Sequence, residues 1–150
     1  EAGHYLESFI SGREDELSPA IRNRLDAPEP SAREYQKALT ACERLRHEVA
    51  RHFSEFDLLL CPMNIVPAHQ HNVMELEVDG QRVIPRNALR AAVPFDLTGS
   101  PAISVPFGWS AEGLPIGVQL VGRHFDESTV LHAASALEAV SDNGQRRPPI

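Results

Sequence analysis

A chain of 150 residues can bury one core and is short for two ordinary domains. With 42% hydrophobic and 23% charged residues, it has the composition of a soluble globular protein. A net charge of −7, with Lys37 as the single lysine, argues against a surface for nucleic acid or anionic membrane, where phosphates need clustered Lys and Arg.

No run approaches a membrane span and no charged-then-apolar leader opens the sequence. The start at Glu1-Ala2-Gly3, without Met, reads as processing or as a piece of something longer. Cys42 and Cys61 read as two buried thiols, which suits a reducing compartment and a cytoplasmic location.

Residues 4 to 11 place Tyr5, Leu6, Phe9 and Ile10 at helical spacing, and Gly12 can end that helix. Glu14-Asp15-Glu16 reads as a solvated loop. Ser18-Pro19 is an N-cap followed by proline at the first helical position, opening a short helix with Ile21 and Leu25 on one face.

Ser31-Ala32-Arg33-Glu34 is a capping box. It opens one long amphipathic helix over about residues 31–53, with Tyr35, Ala38, Leu39, Cys42, Leu45, Val49 and Phe53 on its apolar stripe. At 1.5 Å per residue that is roughly 33 Å, a length that suits a helix lying across a larger sheet. Arg44 and Glu48, four apart, can pair on its polar side.

Phe56 to Pro62 is an apolar run without alternation, which predicts a strand covered on both faces, as internal parallel strands are. Glu75 to Ile84 predicts a small hairpin about Asp79-Gly80, and Arg86 to Ala92 a helical turn. Asp126 is an N-cap for a helix carrying Val130, Ala133, Ala134, Leu137 and Val140. Ser141 to Gly144 ends it, and 145–150 reads as a frayed tail.

The densest punctuation runs from Val93 to Gly122, where Pro94, Pro101, Pro106 and Pro115 alternate with Gly99, Gly108, Gly113, Gly117 and Gly122. Two strands lie within it, Ala102–Val105 and Ile116–Val121, joined as antiparallel neighbours by a glycine-containing loop. The run D-L-T-G-S-P-A-I-S-V-P-F-G, followed by G-L-P-I-G-V-Q-L-V-G, resembles the C-terminal segment of the amidase signature family of serine amidohydrolases. The resemblance extends back through D-L-L-L-C-P-M-N-I-V-P-A-H and S-A-R-E-Y-Q-K-A-L, and forward through Asp126 to Val140, so it covers most of the chain.

That resemblance implies an α/β fold: a mixed β-sheet flanked by helices, of which residues 1–150 form a single-domain, C-terminal fragment. It also implies a Ser–cis-Ser–Lys triad whose neutral lysine accepts a proton through the bridging serine. The nucleophile belongs to a Gly/Ser-rich segment whose backbone N–H groups stabilise the oxyanion. No such segment is present, and Lys37 falls on the polar face of a helix, so the triad cannot be assembled here.

Other nucleophiles fare no better. Ser100 sits in a Thr-Gly-Ser-Pro turn, not in a strand–elbow–helix. Ser104 belongs to a strand, and no histidine is positioned beside Cys61. His69-Gln70-His71, with Glu75 or Glu77, is a weak metal pattern, and a solvated loop is the plainer reading. No metal and no cofactor is expected.

What remains is a binding wall for a small amide substrate. The resemblance puts loops of this part over the substrate cleft, which makes the loop after Pro62, the segment with Arg86 and Arg90, and the turn with Asp96 and Thr98 the candidates. Asp96 stands where the family usually has Asn; it can read a cation or an amide N–H, or simply bond its own backbone. Arg86 or Arg90 can pair with a substrate carboxylate. The stretch Asn87-Ala88-Leu89-Arg90 lacks the acidic residue of the glutamine-using relatives, which disfavours a glutamine amidotransferase role. The rival is a stand-alone, non-catalytic α/β module that binds a partner chain or self-associates through exposed strand edges.

Overall fold

The computed structural model describes residues 2–141 and 143. They fall into two compact units, one ending at Ala38 and one starting at Leu39.

The first unit holds α1 (Ala2–Ile10), a 3₁₀ turn (Glu14–Glu16), α2 (Pro19–Leu25) and the start of α3 (Ala32–His52). Its helix starts follow the sequence. Ser18 Oγ accepts from the Ile21 amide at 3.4 Å, with Pro19 in the first turn. The capping box forms as well: Glu34 Oε2 accepts from the Ser31 amide at 2.9 Å, and Ser31 Oγ from the Glu34 amide at 3.3 Å. Gly12 takes a left-handed φ of 79° just beyond α1.

α3 has the expected length, but its apolar stripe is only partly covered. Cys42, Leu45 and Val49 are half-buried and Phe53 is buried, whereas Tyr35 and Leu39 stay exposed. The helix surface pair is Glu43–Arg46 at 2.5 Å, three residues apart, instead of the expected Arg44–Glu48. Either spacing brings two side chains together for only a few tenths of a kcal/mol, so rotamer choice decides between them.

The second unit is built on a three-stranded sheet in the order β1 (Leu58–Pro62), β5 (Pro115–Gly122), β4 (Ala102–Trp109). Both strand pairs are antiparallel, with Leu60 opposite Leu120 and Ile103 opposite Leu120. The parallel reading of residues 56–62 therefore gives way: the strand pairs antiparallel, and Leu60 on one of its faces is 58% exposed. Leu58 packs against the core and Leu59 is half-buried, so the apolar run is covered only in part. The α/β class itself stands, with helices on a β-sheet.

Side chains alternate across this sheet. One face carries Val105, Leu120 and Ile103 against Val130, Ala134 and Leu137 of α5 (Glu127–Val140), which is the main core. Asp126 caps α5, its Oδ1 accepting from the Thr129 amide at 3.4 Å and from the Thr129 hydroxyl at 2.7 Å. The other face carries Cys61, Gln119 and Ser104, a register row across the three strands.

The expected hairpin forms between β2 (Leu76–Val78) and β3 (Gln81–Val83). Asp79 and Gly80 both have positive φ, 51° and 71°, as a two-residue turn of this twist requires. A 3₁₀ segment (Pro85–Ala91) follows and runs into α4 (Val93–Thr98), a short helix where the sequence suggested only a turn. Pro94 suits its first turn, and Gly99, at φ 71°, closes it with its N–H bonded to the Phe95 carbonyl. Among the described residues no helix is long and apolar enough to cross a membrane. The expected tail 145–150 lies outside them.

Candidate functional site

The second sheet face carries the candidate site. β1 delivers Pro62 at its end, exposed and opposite Val118. The chain then makes a loop whose Met63, Ile65, Val66 and Pro67 form one side of a cleft of about 370 Å³. Ser104 of β4 and Ile116 and Gly117 of β5 form the other side. Gly117 brings the two strands close there: a β-carbon on it would lie 2.8 Å from Ser104 Oγ. The lining is mostly apolar, with Asn64 and Ser104 as its polar side chains.

One hydrogen bond ties this loop to the segment with the arginines, and a second ties that segment to the sheet. The Ile65 amide donates to the Ala88 carbonyl at 3.2 Å. Gln119 Nε2 donates to the Ala91 carbonyl at 3.3 Å and to Cys61 Sγ at 3.4 Å. The loop after Pro62 and the 85–91 segment are thereby joined to one another and to the sheet.

Arg86 and Arg90 lie exposed on that segment, and Asp96 is exposed in the first turn of α4. None of the three side chains has a hydrogen bond or ion pair among the described residues, so two guanidinium groups and one carboxylate are open to solvent. Thr98 differs. It is 1% exposed, its hydroxyl donates to the Phe95 carbonyl at 3.3 Å, and it lies 2.9 Å from Ser100 Oγ. It holds the turn that follows Asp96 and presents no group to solvent.

Ser100 is thus a turn residue, as its sequence context suggested. Cys61 meets an amide rather than an imidazole. The histidine loop gathers no third ligand: among the described residues no three His, Cys, Asp or Glu side chains converge on a metal-sized site. Lys37 lies on the exposed side of α3.

Gln119 is the residue that sequence reasoning passed over. Its signal was there, a primary amide inside the apolar strand Val118-Gln119-Leu120-Val121. A buried amide needs partners, and the sequence does not say that one of them would be the distant Ala91 carbonyl.

The segment is an antiparallel sheet with a helix on one face and an apolar cleft on the other, and comparison with known proteins names its family. The family described as Amidase matches residues 4–131, and the chain belongs to it. A glutamyl-tRNA(Gln) amidotransferase subunit of Methanococcoides burtonii is 38% identical over 114 residues, covering 76% of this chain and 23% of that protein. Fatty acid amide hydrolase of Medicago truncatula is 35% identical over 120 residues, covering 79% of this chain and 20% of that protein. A solved amidase structure superposes with a TM-score of 0.85 at 31% identity, over 94% of this chain and 33% of that one. The chain thus spans about a quarter of the length of the curated relatives it matches.

Proposed function

We propose that this chain is the C-terminal part of a larger amidase-like domain that hydrolyses the amide bond of a small molecule through an acyl-serine. In this reading the Ser–cis-Ser–Lys triad comes from sequence outside the 150 residues. The chain supplies scaffold and one wall of the substrate pocket, and a cytoplasmic location fits its two free thiols, Cys42 and Cys61.

The observation that carries the reading is the joining of the loop after Pro62 to the 85–91 segment through Ile65 and Ala88. Segments that the family resemblance separately puts at the substrate end on one sheet face. Pro62, Arg86, Arg90 and Asp96 would then meet substrate, and Thr98 would act through the turn it holds. The exposed Tyr35 and Leu39 on α3, and Leu60 on β1, support a scaffold that continues into further chain.

The test is amide hydrolysis by the purified 150-residue chain beside the full-length protein. Turnover by the full-length protein alone is the expected result. Robust turnover by the 150 residues would overturn it.

The second reading, a non-catalytic module that self-associates, is favoured by the same exposed apolar side chains and by the outer edge of β4, unpaired among the described residues. Light scattering on the purified chain decides it: a dimer supports the module, and a strict monomer speaks against it.

A further inference from the structure

We propose that Gln119 is a positioning residue that fixes the loop after Pro62 and the 85–91 segment as one rigid wall; this rests on the reading of both as parts of the substrate pocket. Gln119 sits in mid-β5 and is 5% exposed. A primary amide has two N–H donors, and burying it without partners is unfavourable. Here one partner is Cys61 Sγ at 3.4 Å, on the neighbouring strand, and the other is the Ala91 carbonyl at 3.3 Å. Ala91 is the last residue of the 3₁₀ segment. Terminal carbonyls of a helix have no partner within it, so the sheet supplies the donor that the segment's end requires.

The second attachment lies one turn earlier, where the Ala88 carbonyl accepts from the Ile65 amide at 3.2 Å. Together the contacts close a ring: Cys61 at the end of β1, the loop to Ile65, the segment from Ala88 to Ala91, and Gln119 back to Cys61. Ala88 is buried within it, while Arg86 and Arg90 stay exposed. An apolar side chain of the same size would fill the space under Ala91 but would not specify where the segment ends. The amide specifies it, and with it the position of the segment that carries the two arginines.

The experiment compares full-length wild-type protein with Gln119→Met, which keeps the side-chain length and removes the donor. Hydrogen–deuterium exchange is read by peptide, and hydrolysis of p-nitroacetanilide or hexanamide, whichever turns over faster, is read as KM and kcat. The expected result is exchange about 10-fold faster in residues 63–68 and 85–91, unchanged exchange in β4, β5 and α5, and KM raised about 10-fold with kcat within about twofold, since a wall moves and the nucleophile does not. Unchanged exchange in both segments overturns the pinning. Faster exchange throughout the sheet overturns it too, because Gln119 would then serve the fold as a whole. Local loosening with unchanged KM leaves the ring standing and removes the pocket reading on which the positioning role depends. If Gln119→Met does not fold, Ile65→Pro removes the donor at the other end of the ring from an exposed loop, and the same local pattern is required of it.

Discussion

Gly122 and Val130 meet where β5 packs on α5: a β-carbon built on Gly122 would lie 2.5 Å from Val130 Cγ2. Both residues are buried, and Val130 belongs to the core with Leu120 and Val105. No room exists for a methyl group unless the Val130 side chain or its helix shifts. Gly122→Ala is expected to cost about 1–3 kcal/mol, as overpacked cores do. Urea unfolding measures it. Adding Val130→Ala must restore part of the loss, because the two sites share one contact. Additive losses in the double variant would mean that the clash is not the cause.

Gly117 makes a comparison within the same strand. Its added β-carbon would meet the Ser104 hydroxyl oxygen at 2.8 Å, a side-chain atom beside an open cleft. Ser104 can turn away, so Gly117→Ala should cost less than Gly122→Ala, at most about 1 kcal/mol against the usual overpacking range. Its effect belongs to the cleft, which narrows between Ser104 and Ile65. The ranking of the two variants by unfolding midpoint checks it, and an equal or reversed ranking would sink it.

The features that the sequence revealed are those set by neighbouring residues. The Ser31–Glu34 box, the Ser18 and Asp126 caps and the Asp79-Gly80 turn each need only a few adjacent positions, and all form. The β4–β5 pairing was visible for the same reason, two apolar runs separated by a short glycine loop. The direction of β1 was not visible. Its partner β5 lies more than fifty residues away, and an apolar run reads alike whether its neighbour is parallel or antiparallel. Helix α4 was hidden because Pro94, Gly99 and Pro101 in close succession suggest a turn, although Pro94 and Gly99 occupy the ends of a short helix. Of the site, the segments were legible from the family resemblance. Their attachment through Gln119 and Ile65 was not, because both bonds join residues more than twenty positions apart.

Asp126 ties helix α5 to pH. The Thr129 hydroxyl, first among its partners, holds the carboxyl below the usual carboxylate range; partial desolvation opposes this, while the Thr129 amide, the Ser128 hydroxyl and the Arg123 charge add to it. A pKa lower in the folded than in the unfolded state gives stability that is present above the unfolded value, about 3.9 for Asp, and is lost as pH falls through the folded value. The unfolding midpoint should therefore decline on acidification below about pH 4. Asp126→Asn keeps a good cap and removes the titrating group, so its acid decline must be shallower than that of wild type. Identical acid limbs would assign the decline to other carboxylates.

If Arg86 and Arg90 meet substrate as proposed, they select an amide that carries a carboxylate. Both guanidinium groups are exposed on the 85–91 segment and find no partner within the described residues, in contrast to Arg123, which bonds Asp57 at 3.1 Å. A charge-assisted bond from either to a substrate carboxylate contributes about 1.5–3 kcal/mol, which is roughly 10- to 100-fold in kcat/KM. The measurement pairs an N-succinyl anilide, which bears a carboxylate, with the neutral N-butyryl anilide, using full-length protein. Arg86→Ala and Arg90→Ala are each tested, and at least one must lose about 10-fold or more on the succinyl compound while keeping its rate on the butyryl one. Equal losses on both substrates would mean that the arginine holds the segment rather than the ligand. No loss in either variant would remove the arginines from the site and leave the apolar cleft between Ile65 and Ser104 as the part that selects the amide.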